Sequence, residues 1–239
     1  KVDYSVHQKM ITLLLSVVIG CRYTSDINDK LVLETVAAHM LGMERFPDQS
    51  QVNNLIRKID SKGIEQLKNV HHQMFMQNAQ CLSATGFIVV DIDQSGLIAN
   101  GKTYEVAQKG YFSKKKNQKG YQLSAAFCGE SSETVSMYFD PGNTHCSTRF
   151  DNLINDTLIK LSDIANDKRL ILGVDSGYGS DDNIQKIRHK ALFVAKSYST
   201  VRPTKIAQNI NKQYWEEIDG SVDVFELPVT DGLRHIVVR

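Results

Sequence analysis

The sequence predicts an α/β protein: an all-helical N-terminal region, residues 1–84, precedes a mixed sheet of order β-β-β-α-β-α-β over residues 85–239. Three observations carry that expectation. Between residues 4 and 80 the apolar positions recur at helical spacing, with a break at Pro47. From Gly86 the pattern changes to short apolar runs, two of them joined by only Cys128–Ser132, which fits a hairpin. After residue 140 apolar strands alternate with amphipathic helices, which implies parallel crossovers and helices on the faces of the sheet.

Residues 4–20 are rich in Leu and Val nearly all round, which predicts a buried helix. A second helix is expected over 30–42, carrying Leu31, Val32, Leu33, Val36, Ala37, Met40 and Leu41. Pro47-Asp48 then breaks the chain, and Asp48 is placed to cap a third helix. That helix has Val52, Leu55, Ile56 and Ile59 as one apolar stripe. Its other face shows Gln49, Gln51, Asn53, Asn54, Arg57 and Lys58. Amides with basic residues suit major-groove contacts, although any solvated helix presents such a face. A fourth helix covers 61–80, and its adjacent His71 and His72 point in different directions, unlike paired ligands at i and i+4.

The sheet begins with a strand over 87–93, followed by a Ser95-Gly96 turn. Strands at 120–127 and 133–139 come next, then a helix over 147–164 with Phe150, Leu153, Ile154, Leu158 and Leu161 as its stripe. Arg169–Val174 is a near-continuous apolar strand ending at Asp175. A helix at 181–190, a strand at 191–195, a helix at 204–217 and strands near 222–227 and 234–239 complete the chain.

Composition narrows the function classes. A 41% hydrophobic and 23% charged chain of 239 residues is an ordinary globular one. Its net charge of +1 gives no global electrostatic signature, so any nucleic-acid surface must be a local patch. Cys21, Cys81, Cys128 and Cys146 lie far apart with no C-x-x-C pair. That spacing argues against a structural zinc site and a disulfide scaffold, and fits a reducing cytoplasm. The longest apolar run, Met10–Ile19, is too short to span a bilayer. The chain begins at Lys1 without a methionine and no signal peptide is visible, so a fragment is expected.

The chemistry gathers at strand ends. Asp91 and Asp93 are two apart, so on a strand they project from one face. Two carboxylates there repel unless a cation, a proton or open solvent lies between them. Asp175 closes the second apolar strand, and if the two strands are neighbours the acids converge at one edge. Asp175 also heads a Ser-Gly-Tyr-Gly turn, a role that needs no metal. Two acids at corresponding strand ends favour the metal, and oxygen-only ligands suit Mg²⁺ or Mn²⁺. Between the first two strands lie Lys109, Lys114, Lys115, Lys116 and Lys119, interleaved with Tyr111, Phe112 and Tyr121. Such a segment fits phosphate tracking with base stacking.

These residues resemble a known family. Asp93-Gln-Ser is similar to the Asp-x-Thr/Ser first motif of bacterial insertion-sequence DDE transposases, which have a ribonuclease H-like catalytic core. Lys109-Gly-Tyr-Phe with Lys119-Gly-Tyr-Gln-Leu resembles the segment after that motif. Pro141-Gly-Asn-Thr-His resembles their Gly-Asn turn, and Gly173-Val-Asp175-Ser-Gly-Tyr their second Asp motif. Gly20 to Asp29 and Pro47-Asp-Gln-Ser-Gln are similar to their helical N-terminal region. The resemblance implies that Asp93 and Asp175 ligate two Mg²⁺ (or Mn²⁺) ions, with Asp91 as a supporting ligand. It implies strand cleavage and transfer at transposon ends, with terminal inverted repeats and target DNA as partners. It further implies a cytoplasmic, nucleoid-associated protein with no membrane partner, and a homodimer as the assembly to test.

One departure stands out. The family uses a third acid, a late Glu within a Tyr…Arg…Glu…Lys pattern. Glu216, Glu217 and Glu226 are the only late glutamates, and their surroundings do not match it. The third acid is expected beyond residue 239, the strands near the end being the start of a β insertion, so this chain is expected to be inactive. Two rivals remain. Asp91-Ile-Asp93-Gln-Ser-Gly also resembles the motif of haloacid-dehalogenase-like phosphatases, with Asp91 as nucleophile and Asp93 as acid/base. Asp181, Asp182 and Lys168 would complete that site, but the fold requires parallel crossovers after the first strand. The third option is a non-catalytic DNA-binding protein using the helices of 30–60 as a helix-turn-helix.

Overall fold

The computed structural model describes residues 3–101, 103–112, 117–199 and 201–239. The chain divides into two compact units, Lys1–Gln73 and Met74–Arg239. The first is built from α1 (Val6–Val18), α2 (Asp26–Lys30), α3 (Thr35–Met40), α4 (Gln49–Ile56) and the start of α5 (Ser61–Asn78). The second holds β1 (Ile88–Ile98), β2 (Gln108–Lys109), β3 (Lys119–Cys128), β4 (Thr134–Pro141), α6 (Phe150–Lys160), α7 (Ser162–Asn166) and β5 (Leu170–Val174). It continues with α8 (Asp181–Ile187), β6 (Leu192–Ala195), α9 (Val201–Asn209), β7 (Glu216–Glu217), β8 (Asp223–Thr230) and β9 (Leu233–Val238). No helix among the described residues is long and apolar enough to cross a membrane.

The helical unit closes over Ile27, Leu31, Ala38, Met43, Phe46 and Val52. Asp48 caps α4 as expected, accepting a hydrogen bond from the Gln51 backbone N–H at 3.0 Å. Two expectations are corrected. α1 is not buried all round: Leu14, Val17 and Val18 are exposed, and its buried residues are Thr12 and Ser16. Their hydroxyls donate to the Gln8 and Leu13 carbonyls, so the helix supplies its own partners and the polar groups are buried at little cost. The expected helix over 30–42 is broken into α2 and α3, because Glu34 leaves helical geometry at φ −84°, ψ 68°. The break rephases the chain so that Ile27, Leu31 and Ala38 meet in one core, leaving Leu33, Val36 and Met40 outside.

In the second unit β4, β3, β1, β5 and β6 form a mixed sheet in that order, with β2 also pairing β3. β1–β3 and β3–β4 are antiparallel, whereas β1–β5 and β5–β6 are parallel. The expected mixed sheet with crossovers in its second half is therefore present. β2 and β3, the strands that follow β1 in the chain, are joined to the sheet by antiparallel pairing, which removes the parallel crossover that the phosphatase alternative requires after β1. Ile88, Val90 and Ile92 of β1 line up with Leu170, Leu172 and Val174 of β5 and are all buried. Phe150, Leu153 and Ile154 of α6 cover this face.

β1 runs past the turn expected at Ser95-Gly96 and ladders with β3 as far as Ile98–Gly120. Gly96 serves clearance instead: a Cβ there would lie 2.7 Å from Phe112 Cδ1. The helix expected over 147–164 divides at Leu161 into α6 and α7, and that over 204–217 ends at Asn209. β7, β8 and β9 form a separate three-stranded antiparallel sheet.

Leu172 is fully buried in the centre of β5. Leu172→Ala is expected to lower unfolding free energy by about 2–5 kcal/mol, read from the urea midpoint at unchanged m-value.

Candidate active site

The parallel register between β1 and β5 sets the site. Ile92 pairs with Val174, and both side chains enter the core. The next residue on each strand is an aspartate, Asp93 on β1 and Asp175 just past β5, and alternation turns both away from that core. Asp91 shares the face of Asp93 one step deeper, opposite Gly173. Gly173 is needed there, because a Cβ would fall 2.2 Å from Asp91 Oδ1; Gly129, from the hairpin, borders Asp91 Oδ2.

Each outer carboxylate spends one oxygen on its own backbone. Asp93 Oδ1 accepts from the Gln94 N–H at 2.7 Å, and Asp175 Oδ1 from the Gly177 N–H at 2.9 Å. Asp175 does open the expected turn, with its carbonyl accepting from the Tyr178 N–H, but the cap of α8 is Ser180, not Asp175. None of Asp91, Asp93 and Asp175 pairs with a lysine or arginine among the described residues. Two exposed carboxylates with a third beneath them and no compensating cation suit a hard divalent ion bound through oxygen.

Tyr178 forms the wall behind the acids. It is fully buried against Phe150, ring centroids 5.7 Å apart. Its phenol is pushed up to about 12, first by burial, with the charges of Asp175 and Asp93 among the further causes. Among the described residues its hydroxyl makes no hydrogen bond of normal geometry, Ser124 being the hydroxyl that approaches it. Cys146 closes the other side, with Sγ donating to the Gly177 carbonyl at 2.8 Å.

The basic residues fall into three groups. Lys109 and Lys119 are exposed and directly opposite each other on β2 and β3. Alternation along β3 puts Lys119 on the same face as Ala125, which pairs with Asp93. Six residues of strand separate Lys119 from Ala125, about 20 Å. Lys114, Lys115 and Lys116 lie outside the described residues. Arg57 and Lys58, both exposed, follow α4 in the helical unit.

The late glutamates are elsewhere. Glu216 and Glu217 form the edge strand β7, and Glu226 is engaged by Arg234 at 2.7 Å. Among the described residues the one group of three acidic, histidine or cysteine side chains at metal-binding separation is Cys81, Cys128 and Glu133. Sequence spacing, with no C-x-x-C pair, points away from it.

The model of the transposase DDE domain family matches residues 84–228. No curated protein matches the chain in sequence. Among solved structures it is similar to the piggyBac transposase in a synaptic complex with hairpin DNA, at 13% identity and TM-score 0.51. That match covers 99% of this chain and 52% of the other, so the chain spans about half the length of that relative. The Drosophila P element transposase strand transfer complex matches at 11% identity and TM-score 0.41, over 98% and 47% of the two chains. The Mos1 mariner paired end complex with Mn matches at 14% identity and TM-score 0.30, over 87% and 66%.

The unpaired acids and the buried ion pair of the same unit should respond oppositely to neutralisation. Asp140 is buried and holds Arg149 through two hydrogen bonds, one of 2.8 Å. In chelator Asp140→Asn is expected to cost about 3 kcal/mol. Asp93→Asn, which relieves repulsion from Asp91, is expected to leave the thermal midpoint level or raise it; calorimetry of both variants measures the contrast.

Proposed function

The chain belongs to the transposase DDE domain family, and on that premise we propose that Asp93 and Asp175 hold the divalent metal at which DNA strands are cut and joined at transposon ends. The observation that carries this is the placement of the two aspartates at the same step of neighbouring parallel strands, turned away from the core and unpaired. Mg²⁺ or Mn²⁺ bound there, two ions in the complete enzyme, would supply the Lewis acidity that activates the attacking oxygen and stabilises the leaving one.

The chain's own residues supply binding and orientation. The backbone bonds to Asp93 and Asp175 fix one oxygen of each and leave the other for a ligand. Asp91, seated over Gly173, adds negative charge beneath them and serves as the supporting ligand. Lys109 and Lys119 bind the DNA backbone. Like charges directly opposed across two strands disfavour each other by about 0.2–1 kcal/mol, a cost that a bridging phosphate removes. Lys114, Lys115 and Lys116 extend this contact, and Arg57 and Lys58 give the helical region 1–84 a second one. Terminal inverted repeats and target DNA are the substrates, and a homodimer is the assembly.

With two acids assigned and a third required by the family resemblance, the 239-residue chain is proposed to bind metal and DNA without cutting. Purified chain incubated with end-bearing DNA and Mn²⁺ is expected to yield no nicked product; nicking would refute this. In the complete transposase Asp93→Asn or Asp175→Asn is expected to reduce cleavage by about 10³-fold or more while DNA binding persists. Cleavage that survives either change removes the assignment.

Lys109→Ala with Lys119→Ala is expected to weaken DNA binding uniformly across sequences. The slope of log affinity against log salt should shrink by about 1.8, two phosphate contacts' worth, measured by fluorescence anisotropy.

A further inference from the structure

The Cys81, Cys128 and Glu133 group lies on the helix-covered face of the sheet, away from the aspartates. Cys128 ends β3 opposite Val90, three steps from the Ala125–Asp93 pair and on the other face. A tight turn brings the chain back, Ser132 N–H donating to the Cys128 carbonyl, so that Glu133 meets Cys128 again through a 2.9 Å backbone bond. Cys81 enters from a 3₁₀ turn, Gln80–Ser83. Both cysteines are free and buried.

Free buried cysteines are ordinarily small apolar side chains. The convergence of a carboxylate with two of them is what sets this pair apart. The two sulfurs and a Glu133 oxygen all lie within 4.8 Å of one another. Around tetrahedral zinc, with bonds of 2.0–2.3 Å, ligand atoms stand about 3.5–3.8 Å apart, so a contraction of about 1 Å closes the site.

Glu133 is held for such a role. Oε1 accepts from the Gln80 N–H at 2.6 Å, and Oε2 from the Cys81 N–H at 3.1 Å and Ser131 Oγ at 2.7 Å. Four acceptor positions less three leave one, on Oε1. Although burial opposes it, these bonds hold the carboxyl below its usual range, so the group is ionised. Burial pushes both thiols up, with Glu133 adding to the effect on each. A cavity of about 320 Å³ bordered by Cys81, Cys128, Glu130 and Ser131 leaves room for a fourth ligand, water or Glu130.

We propose that Cys81, Cys128 and Glu133 form a binding site for a thiophilic divalent cation of the zinc class. Binding releases the two thiol protons and forms two metal–sulfur bonds and one metal–oxygen bond. The soft sulfur donors separate this site from the all-oxygen aspartates on the other face.

The test uses the full chain, stripped of metal under a phosphine reductant, with excess Mg²⁺ present and Cd²⁺ as the probe. An ultraviolet sulfur-to-cadmium absorption saturating at one equivalent per chain is expected. It should persist in Asp93→Asn/Asp175→Asn, vanish in Cys81→Ser/Cys128→Ser, and need about tenfold more Cd²⁺ in Glu133→Gln. A Cys21→Ser/Cys146→Ser variant keeps only the proposed thiols and decides the matter should the other double variant not fold. One equivalent bound with the absorption supports the site. Absence of the absorption in that variant, or its persistence without Cys81 and Cys128, overturns it.

Discussion

The parallel pairing of β1 with β5 is the constraint on which the rest of the second unit depends. One register, Ile88 with Leu170 through Ile92 with Val174, does two things at once. It stacks six buried side chains into the layer that α6 covers, and it sets Asp93, midway along β1, level with Asp175, just past the end of β5. A slip of β5 by one residue would turn its three buried apolar groups to the opposite face and carry Asp175 toward the core. Packing and chemistry are therefore not independent here. The hydrophobic burial that holds the register also enforces the approach of two carboxylates that, left alone, repel.

The repulsion is accommodated rather than removed. Asp93 and Asp175 stay exposed, where water screens them, and each gains a backbone N–H. Asp91, half-buried, has room only because its neighbour on β5 is Gly173. An arginine beside these acids would have stabilised the fold, as Arg149 does for Asp140. It would also have neutralised the charge on which the proposed metal binding depends. Leaving the acids unpaired keeps the site receptive at the expense of local stability, the balance expected of a functional site.

Much of this was legible in the residues. Apolar runs ending in acids locate β1 and β5, although β1 continues past Asp93 to Ile98, and the alternation at Asp91 and Asp93 fixes their shared face without any knowledge of partners. What escaped depends on residues distant in sequence. Gly96 reads as a turn until Phe112 is seen to need its missing Cβ. The apolar positions of 30–42 fit one helix, and only the common core of Ile27, Leu31 and Ala38 shows why it breaks. α1 looks buried all round because a composition count cannot tell which face Thr12 and Ser16 claim. The approach of Cys81 to Cys128 carries no local motif. It arises from a 3₁₀ turn capped by Glu133 across a hairpin, and spacing rules written for contiguous metal motifs do not register it.

A protein of net charge +1 has no overall field to gather an anionic polymer or a cation, so its chemistry must rest on local separation of charge. The sheet provides that separation through its two faces and its length. On the open face Asp93 and the Lys109–Lys119 pair stand about 20 Å apart along the strands, beyond a Debye length at physiological salt. At that spacing the lysines do not quench the carboxylates. On the covered face, in a drier setting, sulfur would replace oxygen as the donor at the proposed site, and burial favours the protonated thiols that a soft cation would have to displace. Under the two proposed assignments, hardness and hydration differ together between the faces, and the alternation that sorts leucine from aspartate would also sort hard from soft cations. The period-two repeat of β1 and β3 thus sets Asp91 and Asp93 on one face and Cys128 on the other, which would keep the two proposed sites from competing within one sheet.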